Sequence, residues 1–186
     1  MTPRLRSLCT TLVVVAAASL ALPATAERAD RSKPMVIEAD KPGTVDLQRQ
    51  VVVFNGNVLI QQGTMTIRAE RVEIRDLPDG FRVATATGSP GQPASFRQKR
   101  EGVDETLEGR ADRIELDSRT ETLRFIGNGS VRRLRGAVVA DEITGALITW
   151  DRNAEVFNVQ GSSAAGGTAA QPGGRVRAVL APREGK

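Results

Sequence analysis

A short phrase occurs twice in the chain, and this repetition restricts the folds that the chain can adopt. Residues 54–58 read FNGNV, and residues 125–131 read FIGNGSV. Four alanine–acid pairs, which begin at Ala39, Ala69, Ala111 and Ala140, recur at regular intervals, and a glycine follows each of them 16 to 21 residues later. The copies are roughly 30 residues apart, except for one longer interval rich in glycine and proline. Such spacing indicates stacked units of similar structure.

Apolar and polar residues alternate within these units. Met65, Ile67 and Ala69 fall on one face of such a segment, while Thr66 and Arg68 fall on the other. Alternation of this kind over about four to eight residues is typical of a half-buried strand, and clusters of glycine, asparagine and aspartate separate the segments. No helical period is sustained after the N-terminal segment. The sequence therefore predicts an all-β fold of many short antiparallel strands, with almost no helix.

The first 26 residues are interpreted as a cleavable signal peptide. Two arginines precede an apolar run at residues 12–22, and residues 24–26 read ATA, a cleavage site flanked by small residues. The apolar run is too short to span a bilayer, which takes about 20 residues. An uncleaved anchor is the alternative. The pattern therefore predicts secretion across the membrane.

The remainder of the chain is predicted to be a single domain covering residues 27–182. Within it, residues 161–174 read GSSAAGGTAAQPGG, which is typical of a flexible low-complexity loop. Residues 183–186 are predicted to be a short tail.

The composition excludes several classes of function. The chain has no histidine, and its single cysteine, Cys9, lies within the predicted signal peptide. We therefore expect no catalytic residues, no metal, no cofactor and no enzymatic activity. The formal net charge of +4 includes two arginines of the signal peptide, and only 3% of the residues are aromatic. The chain thus lacks the basic, aromatic surface expected of a nucleic-acid-binding protein.

An ordered series of segments carries a family resemblance over residues 34–182. The series begins with PMVIEADKPG and continues with VVVFNGNVLIQQGTMTIRAERVEI, GSPGQPASFRQ, EGRADRIELDSRTETLRFIGNGSVRRLRGAVVADEIT and the closing GGRVRAVLAP. In this order, behind a predicted signal peptide, the segments resemble the LptA-like proteins of the OstA-like family. The resemblance implies an open, slightly twisted β-jellyroll with a V-shaped cross-section.

The same resemblance implies a role as a periplasmic carrier of lipopolysaccharide. In that role an apolar groove holds the acyl chains of lipid A. The proteins stack head to tail and bridge an LptC-like inner-membrane protein and an LptD-like outer-membrane protein, which serves assembly of the outer membrane.

The residues predicted to line this groove are apolar and lie at alternating strand positions. Burying an acyl chain contributes about 0.8 kcal/mol per methylene, so the cargo requires a continuous apolar lining. The lining candidates are Met35, Ile37, Val53, Ile67, Ile74, Phe96, Leu116, Phe125 and Phe157. Because of their alternation, the same residues are also expected to form the core.

Basic residues form a second group of candidates. Arg132, Arg133 and Arg135 lie close together, and the segment FRQKR at residues 96–100 adds further cations. Guanidinium groups form paired hydrogen bonds with phosphates, which lipid A carries, so these arginines are candidate phosphate contacts. The alternative interpretation is the solvated outer face of a strand. Trp150 is predicted to be an ordinary half-buried aromatic residue rather than an exposed anchor.

The first and last strands are predicted at opposite ends of the stack. The first lies near residues 35–39 and the last near residues 175–180, and each leaves an edge that can pair with another molecule. The residues assigned to these assembly edges are Met35, Ile37, Val176, Ala178 and Leu180. Such a contact joins two different surfaces, so it can build an open filament. A proline in place of Val179 is expected to weaken this self-association.

Three alternatives use the same strand pattern. An LptC-like, membrane-anchored partner would keep its N-terminal segment, and a purely structural β-solenoid would bind no lipid. A β-helical polysaccharide lyase or hydrolase would need a charged cleft. The N-terminal residue of the mature protein tests the first alternative, and lipid binding tests the second.

Overall fold

The computed structural model describes Asp30 and residues 32–100, 103–161 and 175–182. The predicted signal peptide, residues 162–174 of the predicted loop and the tail at residues 183–186 lie outside the described residues, so these assignments stay predictions. Within the described part of the chain, no helix is long and apolar enough to cross a membrane.

The described residues form antiparallel strands joined by turns, which confirms the predicted all-β fold. Strands form where apolar and polar residues alternate, because one face of each strand is then buried and the other faces solvent. The strands are β1 (Val36–Glu38), β2 (Lys41–Asp46), β3 (Val51–Gln62), β4 (Met65–Asp76), β5 (Arg82–Thr87), β6 (Ala94–Arg100), β7 (Glu105–Ala111), β8 (Arg113–Asp117), β9 (Thr122–Arg135), β10 (Val138–Asp151), β11 (Val156–Gln160) and β12 (Arg177–Leu180).

The long strands β3, β4, β9 and β10 belong to two parts of the sheet at once. One part, wall 1, has the order β2-β3-β4-β5-β8-β9-β10-β11. The other, wall 2, has the order β1-β3-β4-β6-β7-β9-β10-β12. The long strands pass from one wall to the other at a corner. The molecule is therefore an open β-jellyroll of V-shaped cross-section, closed at this corner and open at the opposite side, here called the mouth.

The repeated phrase of the sequence forms the corner. Residues 56–57 and 127–128 lie at the register shifts of β3 and β9, and all four have positive φ. In the first copy the Asp40 N–H donates to the Gly56 carbonyl at 2.9 Å, and the Asn57 amide donates to the Asp40 carboxylate at 3.2 Å. Asp112 makes the same two bonds to residues 127–128, at 2.9 and 3.0 Å. The prediction that both phrases mark the same corner is confirmed.

The two remaining alanine–acid pairs lie in the middle of long strands. Glu70 lies where β4 turns the corner, and its carboxylate contacts the Lys41 ammonium at 2.9 Å. Asp141 instead lies beside a different register shift in β10, several residues before the shift next to Gly145. The fourth copy of the sequence pattern therefore does not occupy the corner, because β10 has one irregularity more than β4.

Three described turns on the wall 1 side of the mouth also repeat one pattern. In each, an aspartate carboxylate accepts hydrogen bonds from the backbone N–H groups two and three residues later, as asparagine and aspartate commonly do in turns. The aspartates are Asp46, Asp117 and Asp151. Counted from the aspartate as the first residue of the turn, the fifth residue has positive φ and is Gln50, Glu121 or Glu155. The chain thus repeats itself at the mouth as well as at the corner.

The core lies between the inner faces of the two walls and contains a row of aromatic rings. Phe96 of wall 2 makes edge contacts with Phe125 at 5.8 Å and with Trp150 at 5.9 Å between ring centroids. Trp150 stacks on Phe157 at 5.5 Å. Such ring pairs contribute about 0.5–1.5 kcal/mol beyond area burial. Trp150 is fully buried rather than half-buried, because the alternation of β10 turns it toward the core.

Candidate lipid-binding groove

The inner face of the V holds eight of the nine residues that the sequence predicts as its lining. Five of them are buried in the core, namely Ile67, Ile74, Phe96, Leu116 and Phe125. Three are partly buried and pack against this core, namely Met35, Ile37 and Phe157. The structure thus places these eight residues on one continuous apolar surface, and their contact with lipid stays a prediction.

The assignment of Val53 to the inner face is wrong. Val53 lies opposite Glu73, and directly opposed residues of an antiparallel pair share a face. The Glu73 carboxylate contacts two arginines in solvent, so this face is the outer one. Val52 and Phe54 pack against the core instead. The run VVVF has no polar residue to fix its phase, which is why the sequence did not distinguish the two registers.

The larger opening of the groove is a cavity of 370 Å³ at the mouth, between the two walls. Its apolar floor includes Met35, Ala84 and Leu116, and its rim includes Lys33 and Glu121. The opening therefore combines an apolar floor with a charged rim, which suits the junction between the acyl chains and the headgroup of an amphiphile.

A second opening of 150 Å³ lies farther along the mouth. Leu107, Trp150 and Phe157 form its apolar floor, and Arg100 and Glu155 lie at its rim with Arg133. The Phe157 end of the aromatic row is therefore nearest to solvent here. The sequence did not single out Glu105 or Glu155, although the repeated turn with an acid or amide at its fifth position was visible in it.

The predicted arginine cluster is divided between the two faces of wall 2. Arg132 lies on the outer face, where its Nε donates to Glu142 at 2.8 Å. Arg133 and Arg135 point toward the mouth, because side chains alternate along β9. The three arginines therefore do not form one phosphate site, and of the three only Arg133 and Arg135 lie near the groove.

Six charged side chains form a network at the mouth, here called the mouth cluster: Arg100, Glu105, Arg133, Arg135, Asp141 and Glu155. Glu105 is its centre and accepts from Arg100 at 2.6 Å, from Arg135 at 3.2 Å and from Arg133 at 3.3 Å. Arg133 also contacts Asp141, and Arg100 contacts Glu155 at 2.6 Å. The arginine charges are thus balanced by carboxylates in this structure.

The electrostatic environment of Glu105 favours its charged form. Burial of this carboxyl raises its pKa, but hydrogen bonds from Arg100 and Arg135, together with the charges of Arg133 and Arg100, outweigh burial. The pKa of Glu105 therefore lies below its ordinary value. On the outer face, the hydrogen bond from Arg132 likewise lowers the pKa of Glu142. Among the described residues, no group of three or more acidic, histidine or cysteine side chains is arranged to hold a metal ion.

The assembly edges predicted from the sequence lie at opposite ends of wall 2. Within the described residues, β1 pairs with β3 alone and β12 pairs with β10 alone. Ile37 belongs to β1, and Ala178 and Leu180 belong to β12. Met35 and Val176 each lie just outside their strand, so the last strand begins later than the sequence predicts. Both strands present one unpaired edge, and their pairing with other molecules stays a prediction.

An open, bent antiparallel sheet with an apolar inner face and a charged mouth defines a β-jellyroll that forms a groove. The family described as LptA/(LptD N-terminal domain) LPS transport protein matches residues 36–156. The chain belongs to this family of lipopolysaccharide transport proteins.

Individual relatives agree with this assignment. The chain is 31% identical over 134 residues to the lipopolysaccharide export system protein LptA of Escherichia coli strain K12, covering 71% of each chain. It is 25% identical over 152 residues to LptA of Haemophilus influenzae, covering 82% of this chain and 81% of that protein. These relatives are transport proteins rather than enzymes.

A solved structure has the same fold. It is LptH, described as the LptA homologous periplasmic component of the conserved lipopolysaccharide transport device from Pseudomonas aeruginosa. The TM-score is 0.69 at 23% sequence identity, and the match covers 82% of this chain and 99% of that one. At this identity the similarity establishes the fold alone.

Proposed function

We propose that this protein is a periplasmic carrier that binds the lipid A acyl chains of lipopolysaccharide between its two walls. The observation that carries the proposal is the continuous apolar inner face of an open V, in a chain that belongs to a lipopolysaccharide transport family. In this proposal residues 1–26 are removed after secretion, residues 27–182 form the carrier domain, and the protein catalyses no reaction.

The shape of the groove suits a carrier that must release its cargo. Burial contributes about 0.8 kcal/mol per methylene, so one fully buried twelve-carbon chain contributes about 10 kcal/mol. A closed barrel would trap such a ligand, whereas an open mouth buries it incompletely and lets it pass to the next molecule. Leu123 and Phe125 are fully buried, so the acyl chains displace packed side chains as the walls separate. Insertion then begins at the mouth, at the partly buried Met35 and Phe157.

The unpaired edges of wall 2 are proposed as the assembly surfaces. The β1 edge of one molecule pairs with the β12 edge of the next, and the stack ends on an LptC-like inner-membrane protein and an LptD-like outer-membrane protein. Because β1 and β12 lie at opposite ends of one wall, each added molecule would extend the wall and keep the grooves aligned.

A photo-crosslinking pair tests lipid binding. Phe157 packs against the core beside an opening of the mouth, while the next residue, Asn158, is exposed on the outer face. A photoreactive residue at Phe157 is expected to crosslink to added lipopolysaccharide, and one at Asn158 is expected to give none. Crosslinking at neither position in folded protein would favour the purely structural interpretation of this fold.

The register of β12 improves the test of assembly. The Ala181 N–H donates to the Ala140 carbonyl at 2.8 Å, so the Val179 N–H also points toward β10, while the Ala178 N–H points away from it. Ala178→Pro removes a donor from the unpaired edge and is expected to reduce self-association measured by light scattering. Val179→Pro instead disturbs the pairing of β12 with β10, so it serves as the comparison. Unchanged association of Ala178→Pro would contradict assembly through this edge.

A further inference from the structure

We propose that Arg100 and Glu155 form a clasp across the mouth, and that a phosphate group of the incoming lipid replaces the Glu155 carboxylate on Arg100. This inference rests on the proposed carrier function. It assigns the headgroup contact to Arg100, with Glu155 as the group that the lipid displaces.

The two residues of the clasp belong to different walls. Arg100 ends β6 of wall 2, and Glu155 lies in the turn between β10 and β11 at the mouth of wall 1. The Arg100 Nη2 contacts the Glu155 Oε2 at 2.6 Å. This ion pair therefore joins the walls at the side where they must separate to admit an acyl chain.

The turn that carries Glu155 holds its backbone in place. The Asp151 carboxylate accepts hydrogen bonds from Asn153 and Ala154, both at 2.9 Å, and Glu155 has a φ of 54°. The same turn elsewhere at the mouth has Gln50 at this position, also with a φ of 54°. The turn thus accepts an uncharged side chain of the same shape at its fifth position.

Glu105 and Glu155, which both contact Arg100, differ in how readily they can be exchanged. The Glu105 side chain is 12% exposed and is held by three arginines, whereas the Glu155 side chain is 52% exposed. An exposed ion pair contributes little, about 1 kcal/mol or less, because solvent competes for both charges. A phosphate can accept two parallel bonds from one guanidinium group, which is a stronger interaction. Glu155 is therefore the partner that leaves, and Glu105 continues to orient Arg100.

The surroundings of the clasp match the chemistry of an acylated phosphate ester. Arg100 and Glu155 lie at the rim of the 150 Å³ opening, directly above Leu107, Trp150 and Phe157. When Glu155 moves away, the mouth cluster holds three arginines and the carboxylates of Glu105 and Asp141, so it carries one excess positive charge. A phosphate at the rim would restore the charge balance while its acyl chains follow the apolar floor.

Trp150 provides a direct measurement, because it is the only tryptophan of the chain and lies beneath the clasp. Its fluorescence is followed while hexa-acylated lipid A with two phosphates is added to wild-type protein, and again with the same lipid after its phosphates are removed. The variants are Glu155→Gln and Arg100→Gln. The control is Arg124→Gln, which removes a 3.0 Å ion pair with Glu115 on the outer face.

Glu155→Gln is expected to accelerate association of both lipids, and to bind the phosphorylated lipid about three- to tenfold more tightly, since a competing carboxylate is gone. Arg100→Gln is also expected to accelerate association, but to bind the phosphorylated lipid about tenfold more weakly than wild-type protein. Its affinity for the dephosphorylated lipid should be no lower than that of wild type and at most about fivefold higher, because the clasp no longer has to be broken. The control should behave as wild type throughout.

The outcomes separate this inference from the carrier function. Wild-type protein that binds neither lipid would overturn both. If wild-type protein binds both lipids and the variants change neither the association rate nor the preference for phosphate, only the clasp is overturned. If Arg100→Gln accelerates association but keeps the preference for the phosphorylated lipid, the proposal that phosphate replaces Glu155 on Arg100 is wrong.

Discussion

The corner lies in the middle of the long strands and the mouth lies at their ends, and different interactions hold the two regions. At the corner, Asp112 bonds both the backbone and the side chain of residues 127–128, and these residues have positive φ. At the mouth, the walls end in separate turns, and the side chains of Arg100 and Glu155 connect them. The corner is therefore fixed by backbone geometry, whereas the mouth is held by charges that solvent and ligands can replace.

In the proposed carrier, this difference would separate the region that stabilises the fold from the region that admits the lipid. Bonds within a corner need not break when the walls separate, because they join residues that are neighbours in the sheet. Exposed ion pairs contribute little to folding, so the mouth can open at low cost. The proposed carrier would have to open repeatedly and so would need both properties, which lie at different ends of the V.

The largest expected difference concerns the aromatic row, whose two ends lie near the corner and near the mouth. Phe125 is fully buried, and Phe125→Ala should lower the free energy of unfolding by about 3–5 kcal/mol. Phe157 is only partly buried, so Phe157→Ala should cost about 1–2 kcal/mol. Urea unfolding of both variants measures the difference. Equal losses would show that the mouth contributes as much to stability as the corner.

A smaller difference is expected for two glycines of similar backbone conformation. Gly127 at the corner has a φ of 75°, and Gly80 at the mouth has a φ of 81°. Alanine in this conformation costs about 1–2 kcal/mol at either position. At Gly127 the added methyl group would also meet the Asp112 carboxylate, whereas nothing lies within 4 Å at Gly80.

Gly127→Ala should therefore be more destabilising than Gly80→Ala by about 1 kcal/mol, because it also displaces the Asp112 carboxylate from its hydrogen bond with the Asn128 amide. Thermal unfolding at neutral pH compares the two variants with wild-type protein. A larger loss in Gly80→Ala would mean that the mouth turns, rather than the corners, hold the V together.

The sequence predicted the corner better than the mouth, for a physical reason. A corner can be predicted from a local sequence signal, the pair glycine–asparagine, because both residues tolerate positive φ. The repeat places this pair at equivalent positions of the fold. The alternation also predicted the inner face, except in VVVF, where Val53 was assigned to the wrong side. The three arginines that contact Glu105 come from two other strands, β6 and β9, and no local pattern encodes which arginines meet it.

The smallest expected effect is the response of the mouth cluster to pH. The pKa of Glu105 is lowered in the folded protein below the ordinary value of 4.5, so its ion pairs stabilise the fold above about pH 4.5 and this contribution is lost as the pH falls through the lowered pKa. Glu105→Gln should remove this contribution, of about 1 kcal/mol, at pH 7 and have less effect near pH 3. Unfolding curves of both proteins at the two pH values measure it. An equal difference at both pH values would mean that the cluster does not stabilise the mouth through the charge of Glu105, and the contrast with the uncharged backbone bonds of the corner would fail.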